Sequence, residues 1–222
     1  MIAALSSRAR RLLTDVRAVA ATEFAIVAPF MLVLYVGGVE LGNGLAMNVK
    51  VTATAHSVAD MVSQNTAIST ARMQAILGSA QAIMAPYAVK DSSGASLITI
   101  TVSEVSTDGS GNATVQWSES TAGSTAARKK GDPMTLSSFT APDPNNPSNK
   151  NISLILSEVT YNYTTNLGYT IAGTVKLSDS HYLFPRCSTN SPASSSFPYY
   201  DVKYSSTSTT CTCIQHLQQK SC

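Results

Sequence analysis

The sequence predicts an α+β protein: a long N-terminal transmembrane helix continuing into an amphipathic helix, then a small antiparallel β-sheet domain with a disulfide-tied C-terminal tail. Three observations predict it. An uncharged apolar run lies near the N-terminus. Apolar spacing of three and four gives way to spacing of two near residue 97. All four cysteines lie in the last 36 residues of the 222.

The apolar run is Phe24–Val39, FAIVAPFMLVLYVGGV, sixteen residues without a charge. With Val19–Thr22 and Leu41–Ala46 on either side it exceeds the roughly 20 residues needed to cross a bilayer. Glu23 and Glu40 bracket it, where a charge costs less than at the bilayer centre. Pro29 sits inside the run and predicts a bend. Arg8, Arg10, Arg11 and Arg17 precede the span, opposed only by Asp15, and the next charges beyond Glu40 are Lys50 and Asp60. The excess of arginine puts the N-terminus in the cytoplasm and everything after about residue 46 outside. Clustered cysteines fit that oxidising side. A secretory signal peptide ending at Gly44-Leu45-Ala46 is the alternative reading of the same segment.

Beyond the span, Met47, Val51, Ala55, Val58 and Val62 keep helical spacing. A second helical face carries Ile76, Ala80, Ile83, Met84 and Tyr87, with Ser69 or Thr70 as its cap and Pro86 near its end. From Leu97 to Val105, Ile98, Ile100 and Val102 alternate with Thr99, Thr101 and Ser103; after the turn cluster Asp108–Asn112, Ala113, Val115 and Trp117 alternate again. This predicts a hairpin. Residues 120–150 read as a long loop, Ile152–Thr164 as a third strand and Tyr169–Leu177 as a fourth running towards Tyr182 and Phe184. The expected organisation is a basic cytoplasmic leader (1–18), the transmembrane helix (19–46), a periplasmic helical segment (47–88), the sheet domain (89–187) and a Ser/Thr-rich tail (188–222).

Charged residues make up 13% of the chain and the net charge is +2. No global field therefore points to nucleic acid or to an acidic partner. No P-loop, dinucleotide glycine motif or HExxH occurs, and His56, His181 and His216 sit in no nucleophile motif. No cofactor or metal is expected, and the chain is not read as an enzyme. Cys211 and Cys213 are too close to bridge each other comfortably, so Cys187 is expected to pair with one of them and Cys222 with the other. A zinc site of Cys211, Cys213, His216 and Cys222 is the rival, with a spacing unlike the usual fingers. Gly38, Gly42 and Ala46 lie four apart, a spacing that lets membrane helices pack closely.

The stretch Val16-Arg17-Ala18-Val19-Ala20-Ala21-Thr22-Glu23-Phe24-Ala25, followed by Val39-Glu40-Leu41-Gly42, resembles the TadE-like proteins of tight-adherence (Flp-type) pili. Ser157–Tyr163 and Tyr182-Leu183-Phe184-Pro185-Arg186 are similar to later elements of that family, so the resemblance spreads over residues 8–65 and about 95–187. It implies a minor pilin or pseudopilin, cut by a prepilin peptidase between Ala18 and Val19, with Ala18 standing where the family usually has glycine. Glu23 then becomes the fifth residue of the mature chain and Phe24 the sixth. The implied partners are the membrane, the peptidase, other pilin subunits and the pilus assembly platform. A membrane-anchored or secreted adhesin that is never processed is the second reading.

Overall fold

The computed structural model describes residues 16–65, 67–108, 111–123, 126–135, 152–164, 173–185, 203–204, 212–215 and 218–221; for 16–18, 67 and everything from 203 onward it describes the backbone alone. The chain divides into two compact units, Met1–Leu45 with Thr165–Gly173, and Ala46–Thr164 with Thr174–Cys222.

Helix α1 spans Val16–Ser63, and its composition changes character along its length. Up to residue 45, within the first unit, large apolar side chains such as Phe24, Ile26, Phe30, Leu32, Leu34 and Tyr35 are exposed. A helix apolar on all sides has no single buried face to fold against a sheet. From residue 46 on, within the second unit, the pattern becomes one-sided. Met47, Val51, Ala55, Val58 and Val62 are buried, while Asn48, Val49, Thr52 and His56 are exposed. Burying each large side chain of that stripe contributes about 1.5–3 kcal/mol.

Helix α2, Thr70–Ala82, is started by Ser69, which has an extended backbone and whose side-chain oxygen accepts the amide of Arg72 at 3.2 Å. Of the two candidate caps in the sequence, Ser69 is the one used. The helix ends earlier than the apolar spacing suggests. Ile83, Met84 and Ala85 bond to carbonyls only three residues back, in tightening turns just before Pro86. Met84 is nevertheless fully buried and Tyr87 packs at the edge of the core.

Strands β1 (Ala67–Ile68), β2 (Ile98–Thr107), β3 (Ala113–Ser120), β4 (Pro133–Met134), β5 (Ser153–Thr164) and β6 (Thr174–Leu183) follow, with β7 (Lys203–Tyr204), β8 (Thr212–Gln215) and β9 (Gln218–Ser221) in the tail. The main sheet is antiparallel throughout, in the order β4-β3-β2-β5-β6. Strands β1 and β7 pair in parallel, and β8 and β9 form a separate antiparallel pair. The α+β class, the long apolar N-terminal helix and the antiparallel sheet are therefore as expected from sequence. The 120–150 region differs in detail, because Pro133–Met134 adds a short edge strand to β3. Of the fourth strand, residues 169–172 lie outside the described residues.

The β2–β3 connection is held by one side chain. Asp108 Oδ1 accepts the amide of Asn112 at 2.9 Å, its other oxygen accepts Asn112 Nδ2 at 3.0 Å, and Gly111 takes a φ of +86°. A bulge between Glu104 and Val105 shifts the register, so that Glu104 opposes Trp117 and Val105 opposes Val115. On the helix-facing side, Ile98, Ile100 and Val102 of β2 join Trp117, Ile155, Val159, Tyr161 and Tyr163 beneath the α1 stripe and α2's Met73, Ile76, Leu77 and Ala80. Tyr161 Oη donates to the carbonyl of Ala88 at 2.7 Å, tying the α2–β2 connection to the sheet. Burial pushes the Tyr161 phenol above its ordinary range, which keeps it the donor. In the same connection Asp91 accepts Ser93 and Ala95, and the bond from Ser93 holds its carboxyl below the usual value.

The opposite face of the sheet is more polar. Thr101 Oγ1 donates to Ser120 Oγ at 3.0 Å, and Ser103 and Ser118 share a hydrogen bond at 2.9 Å. Arg128, from the β3–β4 connection, forms a two-pronged ion pair with Glu158 and also reaches Ser103 Oγ at 3.3 Å. Glu158 raises the guanidinium further above its ordinary range, against partial desolvation. Val105, Leu154 and Leu156 are buried there as well.

Three stability outcomes follow, each read by denaturant unfolding of the full chain in detergent. Trp117, the only tryptophan and a buried one, supplies the fluorescence signal. Ile100→Ala is expected to cost about 2–5 kcal/mol. Ser157 Oγ is buried with no hydrogen-bond partner among the described residues; Ser157→Ala is expected to be neutral or to stabilise by about 1 kcal/mol, and a clear loss of stability would contradict that environment. A double-mutant cycle on Arg128 and Glu158, whose side chains are 28% and 33% exposed, is expected to give a coupling of about 0.5–1.5 kcal/mol.

Candidate membrane and processing segment

The segment with a functional signature is the first part of α1. Residues 19–46 rise about 42 Å along a helix, against roughly 30 Å of bilayer hydrocarbon. Among the described residues α1 is the one helix long and apolar enough to cross a membrane, by length and composition, and its most apolar stretch has no part buried within the protein. An exposed apolar surface of this extent marks contact with a membrane or another protein. Pro29 lies within the helix and supplies no N–H for the carbonyl of Ala25.

At the start of the segment Ala18 is helical by its backbone, and Val19, Glu23 and Phe24 are exposed. Thr22 Oγ1 donates to the carbonyl of Val19 at 2.8 Å, one turn back along the axis. The Ala18–Val19 peptide therefore lies inside regular helix, with Glu23 just over one turn beyond it. Val19 and Glu23 are four residues apart and share a helix face.

Further along, Gly38 and Gly42 share a face with Ala46 by their spacing. A Cβ added at Gly38 or Gly42 would meet nothing within 4 Å. Nothing among the described residues requires glycine there, so the small residues leave that face of the helix open to a close approach. Glu40 is partly exposed between them.

In the second unit, two histidines with no motif around them come together. The rings of His56 on α1 and His181 on β6 lie 4.5 Å apart, tilted by 46°. One helical turn earlier, Thr52 Oγ1 donates to Asp179 Oδ2, two residues earlier on β6. These two pairs make a polar seam along the flank of the α1 stripe. Sequence alone gave no signal for it, since the partners are over 120 residues apart and meet only through the order of the sheet. Glu104 is also fully buried opposite Ile155, accepting Ser153 Oγ at 2.9 Å. An open groove of about 440 Å³ between α2 and the end of β3 is lined by Thr70, Met73, Gln74, Leu77, Gly78, Gln81, Glu119, Ser120, Thr121 and Gly123. No group of three or more His, Cys, Asp or Glu side chains among the described residues is placed to hold a metal ion.

Cys187, Cys211 and Cys222, with His216, lie outside the described residues, and Cys213 is placed on β8 by its backbone alone. The disulfide pairing and its zinc rival fall there with them.

The sequence profile of the family described as TadE-like protein matches residues 18–60, about a fifth of the chain. Searches of curated proteins and of solved structures found no match. The matched stretch contains both the exposed apolar helix and most of the stripe that packs on the sheet.

Replacing Gly38 or Gly42 with leucine is expected not to lower the unfolding midpoint of the full chain, because a Cβ at either position meets no neighbour among the described residues. If the open face packs on another membrane helix, the same replacements weaken helix–helix association severalfold in a bilayer. A two-hybrid or energy-transfer assay of α1 in membranes checks this; unchanged association would remove the packing role.

Proposed function

With a TadE-like segment over residues 18–60 as the premise, we propose that the chain is a minor pilin or pseudopilin that takes part in assembling a tight-adherence pilus. It is held in the bacterial inner membrane by α1, with its N-terminus in the cytoplasm and the sheet domain in the periplasm. The observation that carries this reading is the coincidence of the family match with an exposed apolar helix that opens on Ala18-Val19 and Glu23. The arginines at 8, 10, 11 and 17 support the orientation.

In this reading a prepilin peptidase cuts between Ala18 and Val19 on the cytoplasmic side. Cleavage makes an α-ammonium at Val19 beside the membrane. The Glu23 carboxylate of a neighbouring subunit pairs with it where the dielectric is low. The pair offsets two desolvation costs and sets the axial register between helices. Gly38, Gly42 and Ala46 supply a surface for close packing against other subunits or the assembly platform. The cysteines of the tail brace the exported domain.

The N-terminal sequence of the mature protein, taken from membranes of cells with an active prepilin peptidase, tests the reading. A start at Val19 is expected. A start at Met1 leaves an anchored interaction domain that escapes processing, and a start at Met47 means a secreted protein. If processing holds, Glu23→Gln is expected to leave the protein in the membrane and to reduce piliation at least tenfold, since it removes the charge and keeps the shape. Piliation at the wild-type level would show that no such ion pair governs assembly.

A further inference from the structure

We infer that the Ala18–Val19 peptide is cut only from a locally unwound state of α1, so that the stability of the turn at residues 18–22 sets the rate of processing. The inference rests on the processing reading above and deepens it. Helix α1 spans Val16–Ser63, so the bond to be cut lies within its first described turn. In an α-helix the carbonyl of Ala18 accepts the amide N–H of Thr22. Hydrolysis adds water to the Ala18 carbonyl carbon, breaks its bond to the Val19 nitrogen and passes a proton to the leaving amine. The products are an Ala18 carboxylate and the Val19 α-ammonium. None of this proceeds while that carbonyl is held along the helix axis by the turn that follows it. An extended chain is what a peptidase can align against its nucleophile.

A second bond reinforces the turn. Thr22 Oγ1 donates to the carbonyl of Val19, the other residue of the bond to be cut, at 2.8 Å. Thr22 thus holds both residues, through its backbone amide on Ala18 and its hydroxyl on Val19. Acting on the opening equilibrium rather than on the chemistry, it is a positioning residue. The composition around it is balanced: Val16, Val19 and Thr22 are β-branched and lower helix propensity, whereas Ala20 and Ala21 raise it. When opening and closing are fast relative to cutting, proteolysis tracks the population of the open form.

The test is the initial rate at which the prepilin peptidase cuts the full chain in lipid vesicles, compared with amide exchange at Thr22. Ala20→Gly and Ala21→Gly each weaken the helix within the turn and are expected to speed cutting about fivefold. Thr22→Val, nearly isosteric, removes only the side-chain bond and is expected to give about two- to fivefold. Ala25→Gly, one turn beyond, is expected to stay within about twofold of wild type. Exchange at the Thr22 amide should rise in the same order as the rates. Wild-type chain cut after Ala18, with Ala20→Gly and Ala21→Gly no faster than it, overturns the inference while leaving processing intact. Equal acceleration by Ala25→Gly overturns the assignment to residues 18–22. No cutting of the wild type removes the processing reading and this inference together.

Discussion

The sheet domain depends on one contact, the packing of the α1 stripe from Met47 to Val62 onto Ile98, Ile100 and Val102 of β2 and their β5 neighbours. A five-stranded sheet with one bare apolar face would expose a large surface to water, and α2 with its 13 residues is too short to cover it alone. α1 supplies the missing cover. The same continuous helix is apolar on every side before residue 46 and one-sided after it. Along one secondary-structure element the exposed apolar surface thus narrows to a single buried stripe at about residue 46.

The centre of the sheet is arranged around that contact. β2 is flanked by β3 and β5 and is buried along almost its whole length, on both faces. Its helix side is apolar until Glu104, where the bulge begins. Its other side carries hydroxyls that bond across to Ser118 and Ser120, and Arg128 closes over them onto Glu158. The polar groups on that face are thus satisfied locally by short side chains. The helix-facing side is then largely apolar, with Ser157 opposite Val102 as its buried hydroxyl.

What the sequence made legible follows from periodicity. The stripe Met47, Val51, Ala55, Val58 and Val62, the alternation of β2 and the cap at Ser69 are local patterns, and local sterics and burial write them directly into the chain. The α2 end at Ala82 was less legible, because Met84 and Tyr87 stay at the core although the helix has ended. Apolar spacing reports burial rather than hydrogen bonding. Pro133–Met134 was hidden for the opposite reason, since a two-residue strand beginning with proline has no periodicity to detect. The bulge at Glu104 and the His56–His181 contact depend on which strands become neighbours, and no window along the chain contains that information. The Ala18, Val19 and Glu23 signature was readable only through a resemblance. A helix-end carboxylate is common, and no local pattern sets this one apart.

The two edges of the sheet differ. On one side β4 is two residues long and opens with Pro133, which has no N–H to offer. On the other side β6 runs for ten residues and pairs only with β5 among the described strands. Among the described strands, β6 therefore offers the longer row of backbone groups to an added strand, whereas Pro133 lacks an amide at the very start of β4.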